Sequence, residues 1–294
     1  MAAEREELRF LSGGDECAGW LYRPNAVGKA PCVVMAHGFS LTRHDGLSAY
    51  AKRLAAAGAM VLVFDHRFLG DSGGLPRQRF RKAEQIGDWR SAVAFARTLD
   101  GVDPTRIVVW GFSFSGGHVV ETAASDPQIA AVLALCPLLD GLARVLATPP
   151  PLSAWLIPRA LADQLGRHNL VPVTAQPGEH AAMALPGEAD GIHAIVPSSS
   201  PWRNEISPGI FLTAPRHRPL RHAKELSMPV WLGLGERDVS VSAKAIERFA
   251  ARIASSELRR YPYEHFGPFI DEGPQLIAAD QIDFLRRNGL LLPG

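Results

Sequence analysis

Two hydrophobic patterns alternate along the chain. Short runs that are apolar at almost every position predict strands buried on both faces: APCVVMAHGF (30–39), AMVLVFDHR (59–67), RIVVWGF (106–112), IAAVLALCPLLD (129–140) and MPVWLGLGERD (228–238). Between them lie segments with helical spacing. In GLSAYAKRLAAAG (46–58), Leu47, Tyr50, Ala51 and Leu54 fall at i, i+3, i+4 and i+7, with Gly58 placed to end the helix. In AEQIGDWRSAVAFARTL (83–99), Ile86, Trp89, Val93 and Ala96 share one face. SGGHVVETAA (115–124), SAKAIERFAARI (242–253) and PQLIAADQIDFLRRNG (274–289) read the same way. ELRFLSGG (7–14) and ECAGWLYRP (16–24) predict a strand pair joined by a Gly-Gly-Asp turn, and ELRRYPY (257–263) a short last strand.

Buried strands alternating with helices predict an α/β fold, a doubly wound and mostly parallel sheet with helices on both faces. In such sheets, sites form beyond the carboxyl ends of the strands. The alternation breaks between about Leu139 and His222, where TPPPLSAWLIP (148–158) and VPSSSPWRNEISPG (196–209) are rich in proline. We read residues 1–138 and 223–294 as one core, and 139–222 as a cap inserted into it.

Composition narrows the picture. A net charge of +1 on 294 residues argues against nucleic acid as a partner. The longest near-apolar run, LAAAGAMVLVF (54–64), is too short to span a bilayer and holds a glycine. The charged start, MAAEREELRF, lacks the apolar stretch of a secretory signal. These features predict a cytoplasmic protein without membrane attachment. The three cysteines, Cys17, Cys32 and Cys136, form no disulfide framework or metal pattern. They read as reduced thiols, with Cys136 near a strand end and so near any pocket there.

The chemistry concentrates after the strands. VVWGFSFSGGHVV (108–120) is a strand, a glycine-flanked turn and a helix. A nucleophilic serine at such an elbow needs small neighbours, because strand and helix backbones come close. Gly111-Phe112-Ser113-Phe114-Ser115 fits with Ser113 central and Ser115 as the small residue. A frame centred on Ser115 is the alternative, although it puts the serine inside the helix start. A serine hydroxyl needs a base held by a carboxylate, and after an elbow of this kind the acid precedes the histidine in the chain. Asp238 follows the strand PVWLGLG, and His265 follows ELRRYPY. Asp140, after the preceding strand, is the rival acid, and His118 reads as a packing residue. Two backbone N–H groups would hold an oxyanion: that of Phe114, and that of Phe39 in the loop His37-Gly38-Phe39. Asp65 and Arg67, in FDHRFLGDSGG (64–74), read as ties between loops.

With DHRFLGDSGG after the fourth strand and WGFSFSGGHV at the elbow, the chain resembles the α/β-hydrolases, over nearly its whole length. More narrowly it is similar to bacterial dienelactone-hydrolase-like and esterase-like members, and to thioesterases and acyltransferases acting on polyketide chains. The resemblance implies a serine hydrolase of carboxylic esters or thioesters, with Ser113 as nucleophile and no metal or organic cofactor. It implies a small-molecule acyl substrate, free or carrier-bound. The alternatives are an acyltransferase or chain-releasing enzyme, and a non-catalytic ligand-binding protein. The cap supplies large apolar side chains, of which Trp155, Met183 and Trp202, together with Phe39, are the expected substrate contacts. The basic run RHRPLRH (216–222) reads mainly as a solvated hinge.

Overall fold

In the computed structural model, residues 5–25 and 28–292 are described. The first four residues of the charged N-terminal segment, and the last two residues of the range read as core, lie outside them. A single sheet of eight strands runs in the order β1-β2-β4-β3-β5-β6-β7-β8. Its strands are β1 (Arg5–Ser12), β2 (Asp15–Tyr22), β3 (Ala30–Ala36), β4 (Met60–Phe64), β5 (Val102–Phe112), β6 (Ile129–Leu135), β7 (Val230–Gly235) and β8 (Ser256–Tyr261). The hairpin β1–β2 and the pair β2–β4 are antiparallel, and all other pairs are parallel. The runs that are apolar throughout became the central strands, since both their faces are covered. Every residue of β3, β4 and β7 is buried.

The helices cover both faces. α1 (Leu47–Ala56) packs on the last helix, α9 (Gly273–Arg287), and α2 (Lys82–Thr98) packs on α3 (Phe114–Ala124). Leu47, Tyr50, Ala51 and Leu54 are the inward face of α1, as their spacing requires. Trp20, Trp89, Trp110 and Trp231 are fully buried around the sheet. β3 has β4 on one side and β5 on the other, so strand order reverses there. From that point the chain crosses to opposite sides of the sheet after β3 and after β5, and in open sheets of this kind sites form at the carboxyl ends of such a switch.

Between β6 and β7 the chain adds no strand to the sheet. It forms α4 (Gly141–Ala147), α5 (Pro150–Gln164), α6 (Glu188–Ile195) and α7 (Ile210–Thr213) before returning; α8 (Ala243–Ala250) follows β7. The prolines that interrupt the pattern are compatible with helix at the start of α5, where backbone N–H groups have no intrahelical partner. The run Arg216–His222 differs from the solvated hinge expected of it. His217 and Leu220 are buried, and Arg218 pairs with Asp140 at 3.1 Å.

The loop after β4 is held by buried charge. Asp65 accepts from the Arg43 guanidinium, from Arg43 N at 2.6 Å and from Asp71 N at 3.2 Å. Gly70 has φ +51°, and a Cβ there would lie 2.4 Å from Asp65 Oδ2, so only glycine fits. Arg67 Nε donates to Asp88 Oδ1 at 2.6 Å, and Ser12 Oγ donates to the same oxygen at 2.7 Å. Removing one partner of a buried pair leaves the other charge uncompensated. Asp65→Asn should therefore lower unfolding free energy by about 3 kcal/mol in urea titration; an unchanged midpoint would refute the bracing role.

Candidate active site

The turn after β5 separates the two serines. Ser113 has φ 55° and ψ −115°, a conformation that L-residues seldom adopt. Its backbone is fixed on both sides. Ser113 N donates to Leu135 O at 3.0 Å, while Ser113 O accepts from Leu138 N at 2.8 Å and Gly117 N at 3.2 Å. Strand and helix come so close that a Cβ at Gly111 would sit 2.3 Å from Ser115 O and one at Gly116 3.3 Å from Gly111 O, and the latter would also fall 2.8 Å from Pro137 Cα in the loop after β6. The side chain of Ser113 emerges from this turn, and its Oγ lies 2.9 Å from His265 Nε2. Ser115 points elsewhere: its Oγ donates to His37 O at 2.6 Å.

His265 and Asp238 arrive from the loops after β8 and β7. Those loops are joined by Glu236 N to Tyr261 O at 2.9 Å and by Arg237 N to Tyr263 O at 3.1 Å. His265 Nδ1 donates to Asp238 Oδ2 at 2.6 Å. That bond makes Nε2 the acceptor, so the serine hydroxyl donates to it. Asp238 Oδ1 is held by the N–H groups of Ser240 at 2.8 Å and Val241 at 3.1 Å. The side chains of His265 and Asp238 are 3% and 1% exposed, which keeps water from competing for their bond. Asp140, the other candidate acid, caps α4 through Leu142 N and Ala143 N and pairs with Arg218. His118 is fully buried against Phe114 and His217, and neither ring nitrogen has a hydrogen-bond partner among the described residues. It packs, as its helix position implies.

The loop His37-Gly38-Phe39 lies against the elbow. A Cβ at Gly38 would fall 2.9 Å from Ser113 Cβ and 3.0 Å from Phe112 O. The N–H groups of Phe39 and Phe114 donate to no protein acceptor among the described residues. Gly38 N donates to His37 Nδ1 at 2.8 Å, so His37 Nε2 carries the proton and donates to Asp45 O at 2.8 Å. His37 is thus a neutral brace for this loop. The hydroxyl of Ser115 is a second brace, tying the loop to α3.

An apolar pocket opens beside Ser113 and encloses roughly 600 Å³ including its mouth. Phe39, Phe114 and Met183 line it, with Leu138, Ile210 and Phe211. Trp155 and Trp202, paired with Met183 in the sequence reading, do not. Trp155 stacks on His180 at 4.9 Å, and Trp202 Nε1 donates to Ser40 Oγ at 3.3 Å. Trp155 is held by ring stacking within the segment 139–222, and Trp202 by a hydrogen bond to the loop after β3. Three residues near the site escaped the sequence reading in these roles. The sequence offers Ser115 as the small residue of the elbow or, in the alternative frame, as its centre, but not as a brace. Ser240 and Val241 stand two and three residues after Asp238, and that closeness is the available signal. Cys136 lies beside Asp238; burial first, and then the aspartate charge, push its thiol pKa well above the usual range, so it stays protonated.

With this geometry in place, comparison with known proteins decides the family. The model of the α/β hydrolase fold matches residues 31–179. The chain belongs to the α/β-hydrolase family. It is 37% identical over 286 residues to the quorum-quenching protein AidA of Acinetobacter baumannii, covering 96% of this chain and 94% of that one. It is 28% identical over 300 residues to the thiohydrolase aneE of Aspergillus aculeatus, covering 95% and 92%. The crystal structure of the α/β hydrolase GrgF from Penicillium sp. sh18 superposes with a TM-score of 0.83 over 97% of this chain and 99% of that one, at 24% identity. This α/β-hydrolase is an enzyme, a hydrolase by family. Among its described residues no helix is long and apolar enough to cross a membrane.

Several buried histidines around the site resist protonation. Burial, the largest cause, pulls His37 down to about 3 and takes His118 well below its usual range, and it lowers His217 too. Unfolded, these rings take up a proton near pH 6.5. As pH falls from there toward about 3, the unfolded state binds protons that the folded state refuses, so stability drops. Burial raises Asp45 to about 6, which works in the opposite sense for that one group. Urea unfolding from pH 7 to pH 4 should show falling stability, by at most about 1.4 kcal/mol per pH unit per histidine. His118→Leu should flatten the slope; an unchanged slope would refute its share.

Proposed function

We propose that the enzyme cleaves a carboxylic ester or thioester through an acyl-enzyme on Ser113. The observation that carries this reading is the hydrogen-bonded series Ser113–His265–Asp238, at 2.9 and 2.6 Å, beside an apolar pocket. Ser113 Oγ attacks the acyl carbon while His265 Nε2 takes its proton. Asp238 holds the imidazole in the tautomer required and stabilises the imidazolium that forms. The negative charge that develops on the carbonyl oxygen is met by the N–H groups of Phe39 and Phe114, which have no acceptor among the described residues. His265 then passes the proton to the leaving alcohol or thiol. A water molecule, activated by the same histidine, releases the acid.

Phe39 and Met183 hold the acyl chain in this reading, and Trp155 and Trp202 take no part. The helical segment 139–222 serves as a cap, since Arg144, Met183, Ile210 and Phe211 from it close the pocket over Ser113. The substrate is a small acyl compound, free or carrier-bound. We place the enzyme in the cytoplasm, where its three free and buried cysteines stay reduced. The mostly apolar pocket also favours a second outcome, in which an alcohol or amine intercepts the acyl-enzyme before water does. Product analysis with an added acceptor separates the two, and free acid in every case eliminates transfer.

Stopped-flow mixing with a short p-nitrophenyl ester tests the mechanism. A burst of p-nitrophenol is expected from the intact enzyme. Ser113→Ala and His265→Gln should each lower kcat by at least about a thousandfold. Ser115→Ala, which loosens a bracing bond only, should lower it by about tenfold. A Ser113→Ala enzyme with undiminished turnover would overturn the proposal.

A further inference from the structure

The pocket beside Ser113 is mostly apolar; besides Ser113 itself its polar lining is Arg144 of α4, Thr148 at the end of that helix, and Ser240 of the β7–α8 loop. Arg144 does not stand alone. Its Nη2 donates to both oxygens of Glu188 in α6, at 3.0 and 3.3 Å. The Glu188 side chain is only 1% exposed, and Ser240 Oγ and Leu185 N complete its partners at 2.7 and 2.9 Å. Guanidinium and carboxylate therefore form a neutral pair in the pocket wall. The pair is also connected to the triad, because Ser240 N holds Asp238 Oδ1 at 2.8 Å. One buried nitrogen is left without a partner. Arg144 Nη1 is buried and bonds to no acceptor among the described residues. A buried charged donor without a partner is costly, and Arg144 is one of the residues that line the pocket.

Taking Ser113 as the nucleophile, as proposed above, we infer that Arg144 and Glu188 select an uncharged acyl chain carrying an acceptor oxygen. Arg144 Nη1 is the donor to that oxygen, a carbonyl, hydroxyl or ether group within the chain. Glu188 is the counter-charge. A plain hydrocarbon chain leaves Nη1 unmet. A chain ending in a carboxylate brings a second anion beside Glu188 and is rejected. Because the specificity pair and the acid loop share Ser240, a chain that seats on Arg144 also steadies the loop that carries Asp238.

The test uses p-nitrophenyl esters of one chain length. One is a plain alkanoate, a series carries a single ether or ketone oxygen walked along the chain, and one ends in a carboxylate. The best oxygen-bearing ester should exceed the alkanoate in kcat/KM by about tenfold, and the carboxylate ester should fall below it. Arg144→Met combined with Glu188→Gln removes both charges at nearly constant volume. It should bring the oxygen preference to within about twofold of unity, whatever it does to the overall rate. Glu188→Gln alone unmasks the cation and should raise the carboxylate ester against the alkanoate by about tenfold. If the double variant does not fold, Arg144→Lys replaces it. It keeps the charge pair but replaces two terminal nitrogens with a single, shorter ammonium drawn to Glu188, and should lose the oxygen preference too. No preference in the intact enzyme, or equal losses on all esters in the variants, overturns the inference. The alkanoate burst separates the two levels. A burst without oxygen preference overturns the pocket assignment alone, and no burst with any ester overturns the acyl-enzyme reading beneath it.

Discussion

Everything at this site depends on one strained residue. Ser113 is held at φ 55° between a strand and a helix that nearly touch. A conformation of this kind costs of order 1–3 kcal/mol for a residue other than glycine. It persists because its N–H and carbonyl are bound on both sides, to Leu135, Leu138 and Gly117. Glycine at 111 and 116 removes the Cβ atoms that would push strand and helix apart. The turn lifts the hydroxyl out of the sheet and aims it at His265. It also leaves the N–H of Phe114 free at the start of α3, where backbone donors have no intrahelical partner.

Around that turn the fold supplies rigid supports for groups that must not drift. The loop after β3 is braced twice, by the neutral His37 ring bonded to Asp45 O and by the Ser115 hydroxyl bonded to His37 O. The acid and histidine loops are joined by backbone bonds before their side chains meet. Phe112 packs on the His265 ring at 4.7 Å, and Phe114 stacks on His217 at the same distance. These supports are largely uncharged, because burial holds the nearby histidines neutral. The anion of Asp238 therefore acts on His265 with little competing field from those rings.

The central strands and the helices that cover them were legible because burial imposes a period. A strand covered on both faces has to be apolar throughout, and a helix on a sheet needs its 3.6-residue stripe. The elbow was legible for the same steric reason, since only small residues fit where Gly111 and Gly116 stand. The order of Ser113, Asp238 and His265 along the chain pointed to three residues that the fold brings within hydrogen-bond distance. Details set by non-local partners were not legible. Nothing in the run Arg216–His222 signals that His217 is interior; its burial follows from packing against Phe114 and His118. Size and apolarity nominated Trp155 and Trp202 for the pocket. Their ring partners, His180 and Ser40, come from positions that no periodicity connects to them. The pairing of Arg144 with Glu188 joins two short helices across 44 residues and leaves no local trace in the sequence.

The central claim is that Ser113, and not its neighbour Ser115, carries the acyl group. Rapid acid quenching of the enzyme during turnover of a p-nitrophenyl ester, followed by proteolysis and mass spectrometry of the peptide holding both serines, tests this directly. One acyl group is expected, placed by fragmentation on Ser113 and absent from the Ser113→Ala protein. An acyl group on Ser115, or on any other side chain, would contradict it.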